Sequence, residues 1–500
     1  MRNNRIRSKG VLIFVSMLVL LFTMDGICEN ADLQIKKSKK ISYKVQELKK
    51  SAVNRVEELS GVLSETAKSI WNYAELALEE YKSSQQLGEL MKKEGFQVEF
   101  GAGGLPTAFV ATYGTGKPVI GILGEFDALP GISQKAGSTK QEAVKEHAPG
   151  HGCGHNLLGV AGAGAALAVK SVMEKYGIAG TVKFFGCPAE ETVEGKTYMA
   201  KAGVFSSLDV CLDWHPSDEN EVNLNSSQAL NSFEVVFRGK TAHAAWDPWN
   251  GRSALDAIEL LDTGINFLRE HIPTTVRIHY VINDGGGAPN VVPAYAKAWY
   301  FVRGKDRQEV ESTYARILKI VQGAALMTET TSEVRLKTGV YNYLKNRVVA
   351  DTLYSNLQSI KGPVFTEEEN DFARRLQKEL GVKDTGLADT VKLMKEPLPF
   401  VSGGSTDVAD VSWLVPTASL NIACYPLDIP GHHWGVVSCT GSSIGMKGML
   451  SASKVLSATA LDMLTNPKLI EKAQKEFKEK TEGFTYKSAI PDGQEPPVKK

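Results

Sequence analysis

Three short apolar runs in this chain each stop at an acid or an imidazole. Val119 to Leu123 runs into Gly-Glu125-Phe-Asp127. Thr181 to Cys187 runs into Pro-Ala-Glu190-Glu191, and Leu208 to Leu212 into Asp213-Trp214-His215. A continuous apolar run of that length suits a strand covered on both faces. Helix-patterned segments lie between the runs, so the expected fold class is α/β, with a mostly parallel sheet. Ligands of such sheets bind beyond the carboxyl ends of the strands. Asp127, Glu190, Glu191 and His215 are therefore expected at one end of one sheet.

Between the first two runs stands Gly150-His151-Gly152-Cys153-Gly154-His155-Asn156. Its glycines permit a tight bend, and a thiolate and an imidazole two residues apart suit zinc or another first-row divalent ion. Alone, the stretch reads equally as a glycine-rich turn with a buried cysteine. The convergence of strand ends is what favours a site. Downstream, Pro430-Gly-His432-His433-Trp434 adds two imidazoles in a loop. The candidate ligands Cys153, His155, Glu191, His215 and His432 exceed what one tetrahedral ion needs, which makes a two-metal centre the expectation. Glu190 beside Glu191 is the candidate base. Asp127 is the candidate for orienting a ligating histidine, His151 is read as support for the loop, and Glu125 as a weak extra ligand or none.

Near residue 228 the pattern changes. Strand-like Phe233 to Gly239, Val276 to Ile282, Ala294 to Val302 and Glu333 to Tyr341 interleave with helical Ser253 to His271 and Gln308 to Thr328. That is the βαββαβ order of a ferredoxin-like α+β sandwich. The expected organisation is a catalytic domain in two parts, 29–227 and 343–485, an inserted lid or dimerisation domain at 228–342, and a surface tail at 486–500. His243 and Asn290 fall on the insertion. His243 could stabilise an oxyanion and Asn290 could contact substrate, though each also reads as a turn residue. Tyr43 to Glu94 shows helical periodicity.

Lys and Arg together number 57, as do Asp and Glu, so the formal charge is +0 and nothing favours nucleic acid or an acidic membrane surface. Six cysteines in 500 residues do not form a disulfide framework. Cys187, Cys211 and Cys424 sit in apolar runs and are expected in the core. Arg2, Arg5, Arg7 and Lys9 precede an apolar run from Val11 to Phe22. This pattern is expected of a signal peptide over 1–28 and of an exported protein, with membrane contact only through an uncleaved signal.

Several motifs now combine: Gly-Glu-Phe-Asp127-Ala-Leu-Pro, Gly-His-Gly-Cys153-Gly-His155-Asn-Leu-Leu-Gly, Pro-Ala-Glu190-Glu191, Gly-Lys-Thr-Tyr-Met, Trp-His215-Pro and Ala-His243-Ala. With them the chain resembles the aminoacylase/carboxypeptidase family of dinuclear metallopeptidases, in its amidohydrolase branch. The resemblance spans about residues 50 to 490. It implies that Cys153, His155, Glu191, His215 and His432 hold two divalent ions, zinc or manganese. It implies Glu190 as general base and later proton donor, and His243 as an oxyanion helper reaching into a partner's site. It further implies a small-molecule acyl-amino-acid substrate and a homodimer or higher homo-oligomer. The activity so implied is cleavage of N-acyl or N-aroyl amino acids. The alternatives are a dipeptidase or carboxypeptidase on the same scaffold, or a metal-binding subunit needing a partner chain. Glu125 departs from the family's usual residue, and His432-His433 offers two histidines where relatives have one.

Overall fold

The four strands that carry the candidate residues are apolar almost throughout because they lie at the centre of their sheet. The computed structural model describes residues 44–401 and 403–498; the expected signal peptide at 1–28 lies outside them. Residues 44–51 belong to a unit of their own, and both sheets lie in the unit from Ala52 onward. Its larger sheet has seven strands: β1 (Gln97–Phe100), β2 (Phe109–Thr115), β3 (Val119–Glu125), β4 (Gly180–Cys187), β5 (Val210–Ser217), β6 (Glu221–Val222) and β11 (Thr417–Ala423). Their order is β1-β2-β4-β3-β5-β11-β6. The central four pair in parallel, while β1, β2 and β6 pair antiparallel at the margins. This is the mostly parallel sheet expected. β5 runs further than the apolar pattern predicts, through His215, because its last residues continue the ladder with β11.

Helices His155–Tyr176, Arg347–Ile360 and Ser443–Thr465 pack on one another and on one face of the sheet. The first comes unusually close. A Cβ on Gly159 would stand 2.6 Å from the Glu125 carbonyl oxygen, so only glycine lets this helix press on the end of β3. On the other face Leu123, Phe185, Cys187 and Cys211 pack against Tyr198, Met199, Val408 and Val411. Cys187, Cys211 and Cys424 are buried free thiols, as the sequence suggests.

The second sheet has four antiparallel strands: β7 (Ala229–Arg238), β8 (Arg277–Asp284), β9 (Tyr295–Gly304) and β10 (Thr331–Val340), in the order β10-β7-β9-β8. Helices Ala254–Leu268 and Arg307–Thr328 cover one face, through Phe233, Ile258, Leu261, Tyr300 and Ile317 among others. The first is capped by Ser253, whose hydroxyl accepts from the Asp256 amide.

The expected helical stretch up to Glu94 is interrupted. Helix Ser60–Tyr73 ends at Ala74, which takes a left-handed conformation, and the next helix, Tyr81–Lys93, starts only after an irregular turn. That turn touches the functional region: the Glu75 carbonyl accepts from the Ala128 amide at 2.8 Å.

Candidate metal centre

Asp127, two residues past the end of β3, is fully enclosed and organises the cluster. One carboxylate oxygen accepts from His155 Nδ1 at 2.8 Å, and the other from the Glu191 amide at 2.9 Å. A single side chain thus fixes the ring of one candidate ligand and the backbone of another. With Nδ1 engaged, His155 turns Nε2 inward. There it stands 3.3 Å from Glu125 and 4.0 Å from Glu190.

The other candidates converge on the same point. Cys153 Sγ lies 3.2 Å from His215 Nε2, while His215 Nδ1 donates to its neighbour's carbonyl, Pro216 O, at 2.7 Å. His432 Nε2 is 3.5 Å from Glu191. Ligand atoms of Cys153, His155 and His215 fall within 4.8 Å of one another, as do those of Cys153, Glu191 and His432. All five candidates are therefore brought into two triads that share Cys153. Glu125, His155 and Glu190 form a third such group.

Local backbone explains the approach. Gly154 adopts φ +79°, a left-handed turn that starts helix His155–Tyr176 and delivers His155 as its first residue. The amide of His432 donates to Gly152 O at 3.1 Å, joining the two loops. Ala189 and His432, neither a glycine, are also left-handed, at φ 56° and 53°. Such strain concentrates where side chains must be aimed. The neighbouring histidines have other partners. His433 Nδ1 accepts from the Gly435 amide and caps a helix, and His151 is buried with Nε2 3.0 Å from Ile70 O.

The electrostatics of the cluster are those of crowded, buried anions. Burial, then Glu191, pushes the Cys153 thiol up to about 12. Burial raises Glu191 to about 7. Glu190 is held well above the carboxylate range by burial and then by Glu125 and Asp407. Burial, then His155, drops His215 to about 4. For His155 burial opposes the proton, but Cys153 and Asp127 outweigh it and hold the ring well above its usual range. A divalent cation would relieve this crowding by favouring thiolate, carboxylate and neutral imidazole together. His155 Nε2, Glu191 Oε1 and Glu125 Oε2 are buried without a hydrogen-bond partner, which suits atoms that ligate an ion. The donor set fits zinc or a similar divalent metal.

Sequence reasoning missed Lys196 and Asp407. Lys196 is fully buried, with Nζ 2.8 Å from Glu125 and 2.5 Å from Asp407. Its amide donates to the second Asp407 oxygen at 2.7 Å. Glu125 is thus tied to a buried ammonium. The one signal available was a lysine in a stretch otherwise small and apolar, Gly195-Lys-Thr-Tyr-Met-Ala.

A cavity of about 550 Å³ opens from the cluster. Leu230, Phe301 and Arg303 of the second sheet line it, with Lys345 and the loop 403–406. Arg303 donates to the Ser405 hydroxyl at 2.8 Å. His243 and Asn290 are not in its wall. They meet each other instead: Ala244 N donates to Asn290 O, and the exposed His243 accepts from the amides of Ala245 and Trp246.

Comparison with known proteins agrees with this arrangement. Residues 225–327 match a peptidase dimerisation domain. The chain is 40% identical over 455 residues to one of the two kinds of chain in the p-aminobenzoyl-glutamate hydrolase of Escherichia coli (strain K12), covering 86% of this chain and 94% of that one. It is 30% identical to the human Xaa-Arg dipeptidase, over 89% of this chain and 95% of that protein. Among solved structures, Bacillus subtilis YXEP, titled a dinuclear metal binding peptidase from the M20 family, superposes with a TM-score of 0.53 at 16% identity, over 82% and 99% of the two chains.

Proposed function

The chain belongs to the M20 peptidase family, and within it we propose a metal-dependent amidohydrolase that releases an amino acid from an N-acyl or N-aroyl conjugate of the p-aminobenzoyl-glutamate kind. The observation that carries the reading is the pair of triads meeting at Cys153 beside Glu190. In this reading Cys153, His155, Glu191, His215 and His432 hold two divalent ions, zinc or manganese. Bound there, the ions supply Lewis acidity toward an amide carbonyl and its attacking water.

The remaining steps fall to the chain itself. Glu190 Oε2 is the base that takes the water's proton and then protonates the departing nitrogen. Its largely buried setting favours the protonated form needed for the second half of that cycle. Asp127 holds the His155 tautomer. Arg303, steadied by Ser405, faces the cavity as an anchor for the substrate carboxylate.

Homo-oligomerisation follows from the dimerisation domain, and we assign it to a homodimer. β8 is an edge strand with Val281 and Ile282 exposed, a surface that calls for a cover. His243 and Asn290, outside their own cavity, then act in the partner's. Export through residues 1–28 is part of the same proposal. N-terminal sequencing of the native protein tests it, and a mature chain beginning near residue 29 is expected.

The central test is Glu190→Ala. The purified protein should hydrolyse p-aminobenzoyl-glutamate, and the variant should keep its metal yet lose turnover. Hydrolysis persisting in the variant would discard the mechanism. A panel of Xaa-Arg dipeptides assayed alongside separates the dipeptidase alternative.

A further inference from the structure

The irregular turn between helices Ser60–Tyr73 and Tyr81–Lys93 carries a carboxyl group the mechanism does not use. Glu80 is fully buried. Its Oε1 accepts from the Ala189 amide at 2.8 Å and from the Leu78 amide at 2.9 Å. Its Oε2 accepts from the Thr107 hydroxyl at 3.0 Å. Ala189 is left-handed and immediately precedes Glu190 and Glu191. A residue with a Cβ stays in that conformation only when its surroundings hold it there.

We infer that Glu80 is a positioning residue: it clamps the Ala189 amide so that the following turn presents Glu190 to the reacting centre. The turn hangs from two carboxylates, with Glu80 on the amide of Ala189 and Asp127 on that of Glu191. Glu190 lies between the two fixed points. The Ala189 carbonyl is taken by the amides of Glu194 and Gly195, which ties the far side of the loop to helix Gly195–Lys201. Without Glu80 the amide of Ala189 loses its acceptor in a dry interior, and the turn is free to relax from its left-handed geometry. A shift of about 1 Å in a reacting group costs on the order of 100-fold in rate. Burial, reinforced by Asp127, pushes the Glu80 carboxyl up to about 8, so the neutral acid is well populated near pH 7 and glutamine is a close mimic of it.

This inference rests on Glu190 being the base. It is tested with the metal-loaded protein and p-aminobenzoyl-glutamate, by comparing Glu80→Ala, Glu80→Asp, Glu80→Gln and Thr107→Val for kcat, KM, metal content and melting temperature. Glu80→Ala is expected to lose on the order of 100-fold in kcat while KM stays within a few-fold and metal content is retained. Glu80→Gln, which keeps an acceptor for Ala189, should recover most of the loss. Thr107→Val removes a hydrogen bond from the same carboxyl without touching Ala189, so it should lower the melting temperature and leave kcat within a few-fold. Where the alanine variant does not fold, Glu80→Asp withdraws the carboxyl by one methylene and should show the same kcat loss. Wild-type kcat in both Glu80→Ala and Glu80→Asp would overturn the assignment, as would a kcat loss in Thr107→Val matching theirs. If Glu190→Ala remained active, the base assignment would fall first, and the two failures are thereby distinguished.

Discussion

Lys196 Nζ lies 2.8 Å from Glu125 Oε1, and neither side chain reaches solvent. Asp407 closes the group from the other side. Burying three charges is costly, and the arrangement holds because each has a counter-charge. Lys196→Met should leave Glu125 and Asp407 uncompensated beside an already acidic cluster. The expected loss is about 3–5 kcal/mol in urea unfolding. Neutralising the acids as well, in Lys196→Met/Glu125→Gln/Asp407→Asn, should return part of it.

Asp127 serves His155 and the Glu191 amide at once, so its replacement should act on metal affinity. An asparagine can accept from only one of these with its carbonyl oxygen and presents an NH₂ group to the other. Asp127→Asn is therefore expected to weaken metal binding by about 10- to 100-fold, read by competition with a chromophoric chelator. Glu80→Gln, on the same turn, should leave that affinity near the wild type.

Removing the metal should itself be visible without an activity assay. Dialysis against a chelator leaves Glu125, Glu190 and Glu191 crowded in the cavity with Cys153. A ligand that binds only the folded state stabilises it by mass action. The melting temperature is expected to fall on chelation and to recover on adding zinc or manganese. An unchanged melting curve would count against a tightly held pair of ions.

The parts of this site that the sequence made legible share a physical cause. Strands buried on both faces read as unbroken apolar runs, so the polar residues that end them stand out, and Asp127, Glu190, Glu191 and His215 were found that way. Cys153 and His155 stood out through their glycines. The Lys196–Asp407 contact joins residues 211 positions apart, and each looks locally like an ordinary surface charge. Glu80 lies inside what reads as one helical stretch, and its contact with Ala189 spans 109 positions. No local period encodes such pairs. The role of His243 is equally hidden, since its own chain gives it only backbone neighbours.

Asp410 offers a pH-dependent test away from the metal cluster. It is buried and accepts from the Tyr486 hydroxyl at 2.6 Å and the Tyr341 amide at 3.0 Å, and burial raises its carboxyl to about 6. The folded state therefore binds this proton more tightly than the unfolded chain, whose value is 3.8. The stability so gained is present below pH 4 and is lost as pH rises through 6. The difference is about 3 kcal/mol. Asp410→Asn cannot titrate, so the wild type should lose stability relative to it between pH 4 and pH 7 in parallel denaturation series.

Tyr486 belongs to a C-terminal segment expected from sequence to lie over the surface, and the structure shows how it is fastened. Ile490 is buried among Leu105, Tyr198 and Met199, and Gln494 donates to Leu336 O on β10 at 2.8 Å. Tyr341, just past β10, donates its hydroxyl to Lys487 O. The segment therefore ties the end of the second sheet to helix Gly195–Lys201, which carries Lys196. Burying one isoleucine contributes about 2–3 kcal/mol, and the hydrogen bond to Asp410 about 1.5–3 kcal/mol. Truncation before Phe484 should thus cost roughly 4 kcal/mol. Ile490→Ala alone should account for about half of it, and a truncated protein as stable as the full chain would show that the fastening carries no weight.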